Sequence, residues 1–413
     1  MKIGNKKISG TTLIIVGMIL GALFGLVFPS WGQSISFLGD IFLSLIQMGL
    51  GLLILGQVSA AVAKLDLRKL GRLGSRTIGA FFLSALLSTV WGVLWAAIFR
   101  PGDGMSITTQ AEGSVVAVEN QSIIDVIVGF FPDNIFESLA NGTMMQITVF
   151  ALIFGAALSL LKSEKDFKFM SLLDEFNRII LEIIRIVMKI APIGVFALVA
   201  NAMGTHGVSI FAPLFRYIVV FIAAVLSYMV LWIIISALFV KESPIQVGKQ
   251  LLGMSSLAFA SNSSAVTLPT QMADSREKLG ISKEATSFMM PIGMSLNSPG
   301  SALHNALILV IAGQMHGLTF GMGDYLTIIF IATFASYATA VIPGGGVVAL
   351  NIVLPQMGFG AETIAFFATV DYPTGMFRTM ANVQLDATAG MIAAHSMGEL
   401  DPDILSEKKE VPD

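Results

Sequence analysis

The sequence predicts an all-α polytopic membrane protein, and three observations carry that prediction. Of its 413 residues, 55% are hydrophobic and only 12% are charged, against about 25% charged residues in a soluble chain. Apolar runs near the ~20 residues that span a bilayer recur along the chain. No segment alternates apolar and polar residues as a membrane-spanning β-strand does. The chain has no cysteine, so thiolate chemistry is excluded, and no basic tract indicates nucleic acid.

The first six apolar segments have the pattern of ordinary spanning helices. They occupy residues 11–28, 35–63, 77–99, 143–161, 172–203 and 210–240. We interpret the first as a spanning helix and not a removed signal, because no small-residue cleavage site follows it. Basic residues cluster after the second, fourth and sixth segments, whereas the alternate loops, including the polar loop 100–122, carry only Arg100. The positive-inside rule therefore predicts a cytoplasmic N-terminus and cytoplasmic basic loops.

Two later segments are interrupted and predict re-entrant helical hairpins. Residues 251–272 are broken by the polar run 261–264, and cytoplasmic-type basic residues lie at both ends. Residues 325–357 are broken by the sequence Ile-Pro-Gly-Gly-Gly at 342–346. The two hairpins enter from opposite sides of the membrane.

Each hairpin precedes a further spanning helix. These helices are predicted over residues 287–313, with unwinding at Pro299 and Gly300, and over residues 362–395, before an acidic cytoplasmic tail. The sequence thus predicts eight transmembrane helices plus two re-entrant helical hairpins. Paired Gly- and Pro-broken segments point to a transporter site at the membrane midplane. Close helix packing would explain scattered glycines, but not two broken tips beside a lone arginine.

Arg378 is the only Lys or Arg between Glu284 and Glu407. A charge within a membrane segment costs roughly 2.5–3.5 kcal/mol on insertion scales, so such groups face a cavity or a partner. Residues 371, 375, 378, 382 and 386 recur at helical spacing and share one face. The alternative to a functional role is a buried structural pair of Arg378 with Asp371.

Four motifs together resemble the glutamate transporter family, the dicarboxylate/amino acid:cation symporters. Ala-Phe-Ala-Ser-Asn-Ser-Ser-Ala-Val-Thr-Leu-Pro at 258–269 resembles its first hairpin. Pro-Ile-Gly-Met-Ser-Leu-Asn at 291–297 resembles its seventh helix, and Ala-Val-Ile-Pro-Gly-Gly-Gly at 340–346 resembles the tip of its second hairpin. Arg-Thr-Met-Ala-Asn-Val-Gln-Leu-Asp at 378–386 resembles the signature of its eighth helix.

The resemblance implies a glutamate-transporter-like fold with inverted repeats, assembled as a homotrimer. A scaffold would comprise residues 1–75 and 101–205. A transport domain would comprise residues 76–100 and 206–398, moving as an elevator with the second hairpin as outer gate. Residues 399–413 would form the cytoplasmic tail. The protein would be a multi-pass protein of the cell membrane, plasma or inner, with both termini cytoplasmic and lipid around it.

The resemblance also implies which residues bind substrate and sodium. Substrate contacts would come from Asn262, Ser263, Ser264, Ser301, Ile342, Gly346, Gly375, Arg378, Thr379 and Asn382. The Arg378 guanidinium would hold a substrate carboxylate through two parallel hydrogen bonds. Two sodium ions are expected, and oxygen ligands suit such hard cations. The first would bind Gly293, Asn297, Asn382 and Asp386, and the second Ser295, Ser336, Tyr337 and Thr339.

The sequence departs from the family pattern in ways that bear on ions and substrate. Pro299 replaces the acid that serves a third sodium ion, and Phe81 with Ser84 and Ala85 matches the partners of that acid only in part. Gly375 replaces the Asp that binds the α-amino group in amino acid transporters. Asn305 stands where a proton-carrying Glu is found in animal transporters. Its neighbour His304 is interpreted as a structural histidine.

These features predict a sodium-coupled secondary active symporter of a small anionic carboxylate, either a dicarboxylate or an acidic amino acid. A symporter of a neutral or modified amino acid remains the alternative within the family. An anion-conducting channel is a different class, which the gate-like hairpins fit less well than alternating access. No Ser/His, metal-binding His or paired catalytic carboxylate pattern is present, so an enzyme is not expected.

Overall fold

The computed structural model describes residues 2–3, 6–7, 10–64, 71–104, 128–161, 168–207, 211–339 and 345–408. Some predictions concern residues outside these ranges. They are the basic residues within 65–70 and 162–167, most of the polar loop 100–122, the end of the tail, and Ile342 with the tip of the second hairpin.

The described chain is helical apart from β1 (Lys2–Ile3) and β2 (Lys6–Lys7), which pair antiparallel, and one isolated bridge between Ile281 and Leu400. The helices of the first half are α1 (Gly10–Val27), α2 (Pro29–Ser34), α3 (Ser36–Lys64), α4 (Arg72–Phe99), α5 (Ile135–Asn141), α6 (Met144–Leu161), α7 (Phe169–Met188), α8 (Ala191–His206) and α9 (Phe211–Val240). The helices of the second half are α10 (Pro244–Ser261), α11 (Ser264–Glu277), α12 (Lys283–Leu296), α13 (Pro299–Met315), α14 (Met322–Thr339), α15 (Gly345–Gln356), α16 (Ala361–Ala368), α17 (Asp371–His395) and α18 (Pro402–Leu405). The predicted helical class is confirmed.

Four helical stretches of the described residues are long and apolar enough to cross a bilayer: Pro29–Lys64, Arg72–Phe99, Met144–Leu161 and Pro213–Val240. A fifth crossing is formed if α7 and α8, which meet at 52°, are counted together. Shorter apolar helices include Val16–Val27, Met322–Tyr337 and Gly346–Gln356. A multi-pass membrane protein follows from these spans.

Three segments, each predicted as one spanning helix, are each two helices in the structure. The first divides at Lys189 and Ile190, because Pro192 takes one of the first two positions of α8. The predicted unwinding at Pro299 and Gly300 is wrong by two residues, because Pro299 opens α13 and the break falls at Asn297 and Ser298. Proline fits the first helical position, whereas the residue before it is driven into an extended conformation.

The third division separates α16 from α17 at Thr369 and Val370. Pro373 lies in the first turn of α17, where its missing N–H leaves no intrahelical hydrogen bond unmade. A helix continuing from α16 would need that N–H to bond Thr369 O. The break therefore follows from the proline, and it places Asp371 as the first residue of α17, where a carboxylate is favourable to the helix dipole.

The helices pack in two groups. In one group, α1 and α2 lie against α8, and α3 lies against α6, α7 and α8. In the other, α17 is central and contacts α4, α9, α10, α12 and α13. The helix pairs α10–α11 and α14–α15 occupy the two predicted hairpins. The groups meet where α3 contacts α12, α14 and α15, and there Gln47 Nε2 donates a hydrogen bond to Asn351 Oδ1.

Close packing of α1 on α8 depends on glycine. A methyl group at Gly17, Gly21 or Gly25 would collide with successive carbonyl oxygens of α8, those of Pro192, Phe196 and Ala200. Small residues at every fourth position let two membrane helices approach closely. These glycines therefore serve packing, in contrast to those of the second half that surround charged side chains.

The tail folds back on the base of the first hairpin. Ser282 N donates to Glu399 O at 2.9 Å, and Lys249 Nζ lies 2.9 Å from Glu407 Oε1. The hydrogen bond and charge of Lys249 hold the pKa of the Glu407 carboxyl below its usual value. Residues 399–407 are thus attached to both ends of the α10–α11 pair.

Candidate functional site

Arg378 is buried and forms an ion pair with an acidic residue of its own helix. The side chain is on α17, and the residue is only 6% exposed. Its Nη2 lies 2.9 Å from Asp371 Oδ1, two turns earlier on the same helix. The ion pair that the sequence left as an alternative is therefore formed. The guanidinium has five N–H donors, so further donors remain for other partners after this ion pair forms.

Both hairpins reach this guanidinium. A methyl group at Gly346, near the start of α15, would overlap Asp371 Oδ1 and Arg378 Nη2. From the other hairpin, Asn262 ends α10 in the left-handed conformation at φ 48° and accepts a hydrogen bond from Thr379 Oγ1 at 3.0 Å. Asn262 of the first hairpin and Gly346 of the second therefore lie beside the one buried cation of α17.

Gly375 lets Asn262 and Arg378 lie close to the backbone of α17. A methyl group at this position would lie 3.0 Å from Asn262 Nδ2 and 3.3 Å from Arg378 Nη2. Any side chain here would press on the first hairpin and on the guanidinium. The absence of a side chain at Gly375 thus allows the first hairpin to approach Arg378 closely.

Asn382 joins α17 to the start of α13. Its Oδ1 accepts hydrogen bonds from Gly300 N at 2.8 Å and from Ser301 N at 3.4 Å. These N–H groups belong to the first turn of α13 and have no partner within that helix. Asn382 and Ser301 are therefore together, and the Asn382 amide nitrogen remains as a donor.

Ser263 and Ser264 lie at the first hairpin break. Ser263 Oγ accepts from Val266 N at 3.4 Å and caps α11, and Ser264 is the first residue of that helix. The N-terminus of α11 thus begins beside Asn262, at the same tip. The recorded Ser263 contacts are local to the hairpin.

Asp386 provides a buried carboxylate for the first predicted sodium site. It is 1% exposed, and its Oδ1 accepts from Asn297 Nδ2 at 2.7 Å. No described residue donates a hydrogen bond to its Oδ2. A methyl group at Gly293 would lie 2.7 Å from the Asp386 carboxyl carbon, so the backbone of α12 approaches the carboxylate closely. An unpaired buried carboxylate oxygen beside a helix break fits a bound cation.

The residues predicted for a second sodium ion lie on two helices. Ser336, Tyr337 and Thr339 lie in the last turn of α14, where carbonyl oxygens lack intrahelical N–H donors. Ser336 O accepts from Thr339 Oγ1 at 3.2 Å. Ser295 lies in the last turn of α12, and its Oγ donates to Pro291 O at 2.9 Å. The carbonyl groups are at helix ends, but among the described residues no hydrogen bond joins Ser295 to the other three.

Residues 11–396 match the sodium:dicarboxylate symporter family. The chain belongs to this family. Among its relatives, a proton/sodium-glutamate symport protein of Bacillus caldotenax is 30% identical over 95% of the chain and 96% of the relative. A proton/glutamate-aspartate symporter of Escherichia coli strain K12 is 28% identical over 94% and 93%. A C4-dicarboxylate transport protein of Anaeromyxobacter sp. strain K is 27% identical over 94% and 90%.

Membership of the sodium:dicarboxylate symporter family identifies the protein as a transporter and not an enzyme. The motifs that indicated the family before any comparison all fall within the matched residues. Within the matched residues, the buried cation Arg378 and the unpaired carboxylate oxygen of Asp386 both lie on α17, the helix that Asn262 of the first hairpin contacts.

Sequence reasoning missed one partner of Arg378 in this symporter and undervalued another. Arg378 Nη1 lies 3.2 Å from His304 Nδ1, and His304 Nε2 lies 2.6 Å from Tyr217 Oη. Tyr217, on α9, carried no sequence signal beyond being a polar residue in a strongly apolar helix. His304 was interpreted as structural, and its contact with the candidate binding residue could be recognised only once α13 and α17 were placed together.

Proposed function

We propose that the chain is a sodium-coupled secondary active symporter of a small anionic carboxylate. The observation that carries the proposal is Arg378, a buried cation with further N–H donors available, bordered by Asn262 of the first hairpin and Gly346 of the second. A planar guanidinium pairs with a carboxylate through two parallel hydrogen bonds. The names of the relatives, which include glutamate and C4-dicarboxylate carriers, agree with such a substrate.

The supporting architecture is eight spans with two re-entrant hairpins, with both termini cytoplasmic. Three of those spans would each consist of two helices, α7–α8, α12–α13 and α16–α17. In a homotrimer, the α1–α3 and α5–α8 group would be the fixed scaffold, and the group around α17 would move as an elevator. The two-group packing supports this division, and the α3 contacts with α14 and α15 would form the sliding surface.

The test of this function is uptake by proteoliposomes containing the purified full chain. An inward sodium gradient should drive saturable accumulation of radiolabelled succinate, L-glutamate or L-aspartate above its equilibrium level. Uptake without saturation, insensitive to sodium and limited to equilibration, would instead indicate an anion channel. Transport restricted to neutral amino acids would favour the alternative within the family and would contradict the role of Arg378.

The coupling ratio is expected to be two sodium ions per substrate. One ion would use the Asp386 carboxylate and the carbonyls of Gly293, Asn297 and Asn382. The other would use carbonyls at the end of α14 with Ser295. A third ion would have no carboxylate ligand, because Pro299 stands where that acid would be. Burial of a cation without charge compensation has a high free-energy cost. The neutral candidates supply no such charge: Ser84 Oγ lies 3.2 Å from Asn297 Oδ1, and Ser298 Oγ is buried without a hydrogen-bond partner among the described residues.

The ratio is measured as the membrane voltage at which opposed sodium and substrate gradients give zero net flux. A value of three would contradict the proposal. The variant Ser84→Ala is a control, because removal of a neutral hydroxyl should leave a ratio of two unchanged.

Gly375→Asp is expected to create a preference for ligands with an α-amino group. The new carboxylate would displace Asn262 by a few tenths of an ångström and would lie beside Arg378, where the α-amino group of a bound ligand could reach it. Glutarate and L-glutamate differ only in the amino group. Their affinity ratio should shift by about tenfold or more towards L-glutamate, since a hydrogen bond to a charged group contributes roughly 1.5–3 kcal/mol. Gly375→Asn is the matched control, and an equal shift there would show that shape alone is responsible.

A further inference from the structure

A second anchor of Arg378 comes from α13. His304 is 1% exposed, and its Nδ1 lies 3.2 Å from Arg378 Nη1. On the opposite side of the imidazole, Nε2 lies 2.6 Å from the hydroxyl oxygen of Tyr217, which is fully buried on α9. Three helices, α9, α13 and α17, are therefore linked through one guanidinium, one imidazole and one phenol.

The chemistry of the three groups determines the direction of these hydrogen bonds. A guanidinium donates only, so His304 Nδ1 must accept with its lone pair. The ring proton is then on Nε2, which donates to Tyr217 Oη. A doubly protonated imidazole would oppose N–H to N–H and place two positive charges in contact. The geometry therefore requires a neutral imidazole in one tautomer.

Aromatic rings keep the imidazole in this orientation. The Phe221 ring meets His304 edge to face, with centroids 4.9 Å apart, and the Phe367 ring meets Tyr217 edge to face at 5.2 Å. Neither ring of the pair can turn without disturbing a close packed neighbour. The acceptor that Arg378 meets at Nη1 is thus held in place, while Asp371 meets Nη2 from the first turn of α17.

We propose that His304 is a positioning residue for Arg378. Together with Asp371 it anchors both terminal nitrogens, which sets the plane of the guanidinium and leaves the remaining N–H groups aimed at a ligand. Its neutrality matters, because a second acid at this position would cancel the attraction that an anionic ligand needs. The proposal rests on the proposed function, in which Arg378 binds the substrate carboxylate and two-point binding depends on its orientation.

The experiment compares variants that keep or remove the acceptor. His304→Leu removes it, His304→Asn keeps an oxygen acceptor near the position of Nδ1, and His304→Gln extends its amide beyond that position. Calorimetry of the purified full chain at saturating sodium measures the affinity for L-glutamate and succinate. The same titration with their mono-amides, L-glutamine and succinamate, measures the preference for charge.

His304→Leu is expected to weaken carboxylate binding about 10- to 100-fold, the range for loss of a hydrogen bond to a charged group. It should also reduce the preference for carboxylate over amide, while sodium binding without ligand is unchanged. His304→Asn should recover most of both. A merely structural role would lower the melting temperature and weaken sodium and ligand binding together, with the charge preference unaltered, and that result would overturn the proposal.

The variant Arg378→Ala distinguishes a failure of the proposed function from a failure of the positioning role of His304. If it abolishes binding while His304→Leu retains full affinity and charge preference, the proposed function stands and the positioning role fails. If Arg378→Ala itself retains binding, the proposed function fails. If His304→Leu does not fold, the comparison of His304→Asn with His304→Gln tests the proposal instead. Tighter carboxylate binding by the Asn variant than by the Gln variant supports the proposal. Equal binding by the two variants overturns it.

Discussion

Arg378→Ala is expected to remove measurable binding of the native carboxylate. Leaving one partner of a buried charge pair without the other costs roughly 2–5 kcal/mol, which corresponds to about 30-fold to about 5,000-fold in affinity. The large effect follows from the burial of Arg378, since water cannot replace the guanidinium beside the ligand. Binding is measured by calorimetry at saturating sodium.

The variant also leaves Asp371 without its cation, so stability and binding must be separated. The double variant Arg378→Ala with Asp371→Asn removes the uncompensated carboxylate. We expect it to regain thermal stability relative to Arg378→Ala but not ligand binding. Arg378→Lys retains a point charge without the planar fork, and it should bind weakly. Wild-type affinity in either alanine variant would contradict the assignment of Arg378.

Asp386→Asn is expected to raise the sodium concentration needed for half-maximal ligand binding by about 150-fold or more, because removal of one partner from a buried ion pair costs roughly 3–5 kcal/mol. Asparagine keeps the shape but not the charge that compensates a cation at Oδ2. Ligand affinity should fall at a fixed sodium concentration and recover as sodium is raised, since linked sites affect one another reciprocally. Ligand titrations over a series of sodium concentrations measure both effects.

Asp274→Asn is the matched control for this prediction. Asp274 is also buried, at 5% exposure, and its Oδ2 likewise accepts no hydrogen bond from a described residue. It differs in having Lys278 Nζ 2.6 Å from its Oδ1, on the outer part of the first hairpin. We expect its sodium dependence to equal that of the wild type. Unchanged sodium dependence in Asp386→Asn, or an equal change in both variants, would show that Asp386 is not a sodium ligand.

The sequence alone determined the helical membrane class, the approximate ends of most of the described helices and the break of the first hairpin. These properties are local. An apolar run of about 20 residues suits a bilayer, and proline and polar clusters disrupt helical hydrogen bonding wherever the chain is placed. The two misjudged helix breaks also have local causes that the sequence contains. Pro373 explains the break before α17, and the conformation that Pro299 imposes on Ser298 explains the break before α13.

Helical spacing also put Gly375, Arg378, Asn382 and Asp386 on one face of α17, and the structure places Arg378, Asn382 and Asp386 among the buried polar residues of that helix. What spacing could not provide was the partner of each side chain. A lone buried arginine needs a hydrogen-bond acceptor, but a ligand, an acid or a histidine can each provide one. Periodicity within one helix does not distinguish among them.

Only the tertiary structure decided those partners. Asp371 and His304 share the Arg378 guanidinium, Tyr217 completes the chain of hydrogen bonds from 87 residues away from His304, and Asn297 leaves one oxygen of Asp386 unpaired. Gln47 meets Asn351 across 304 residues of sequence. Such contacts arise because close packing sets the relative rotation and depth of helices distant in the chain, and no local pattern of residues encodes that arrangement.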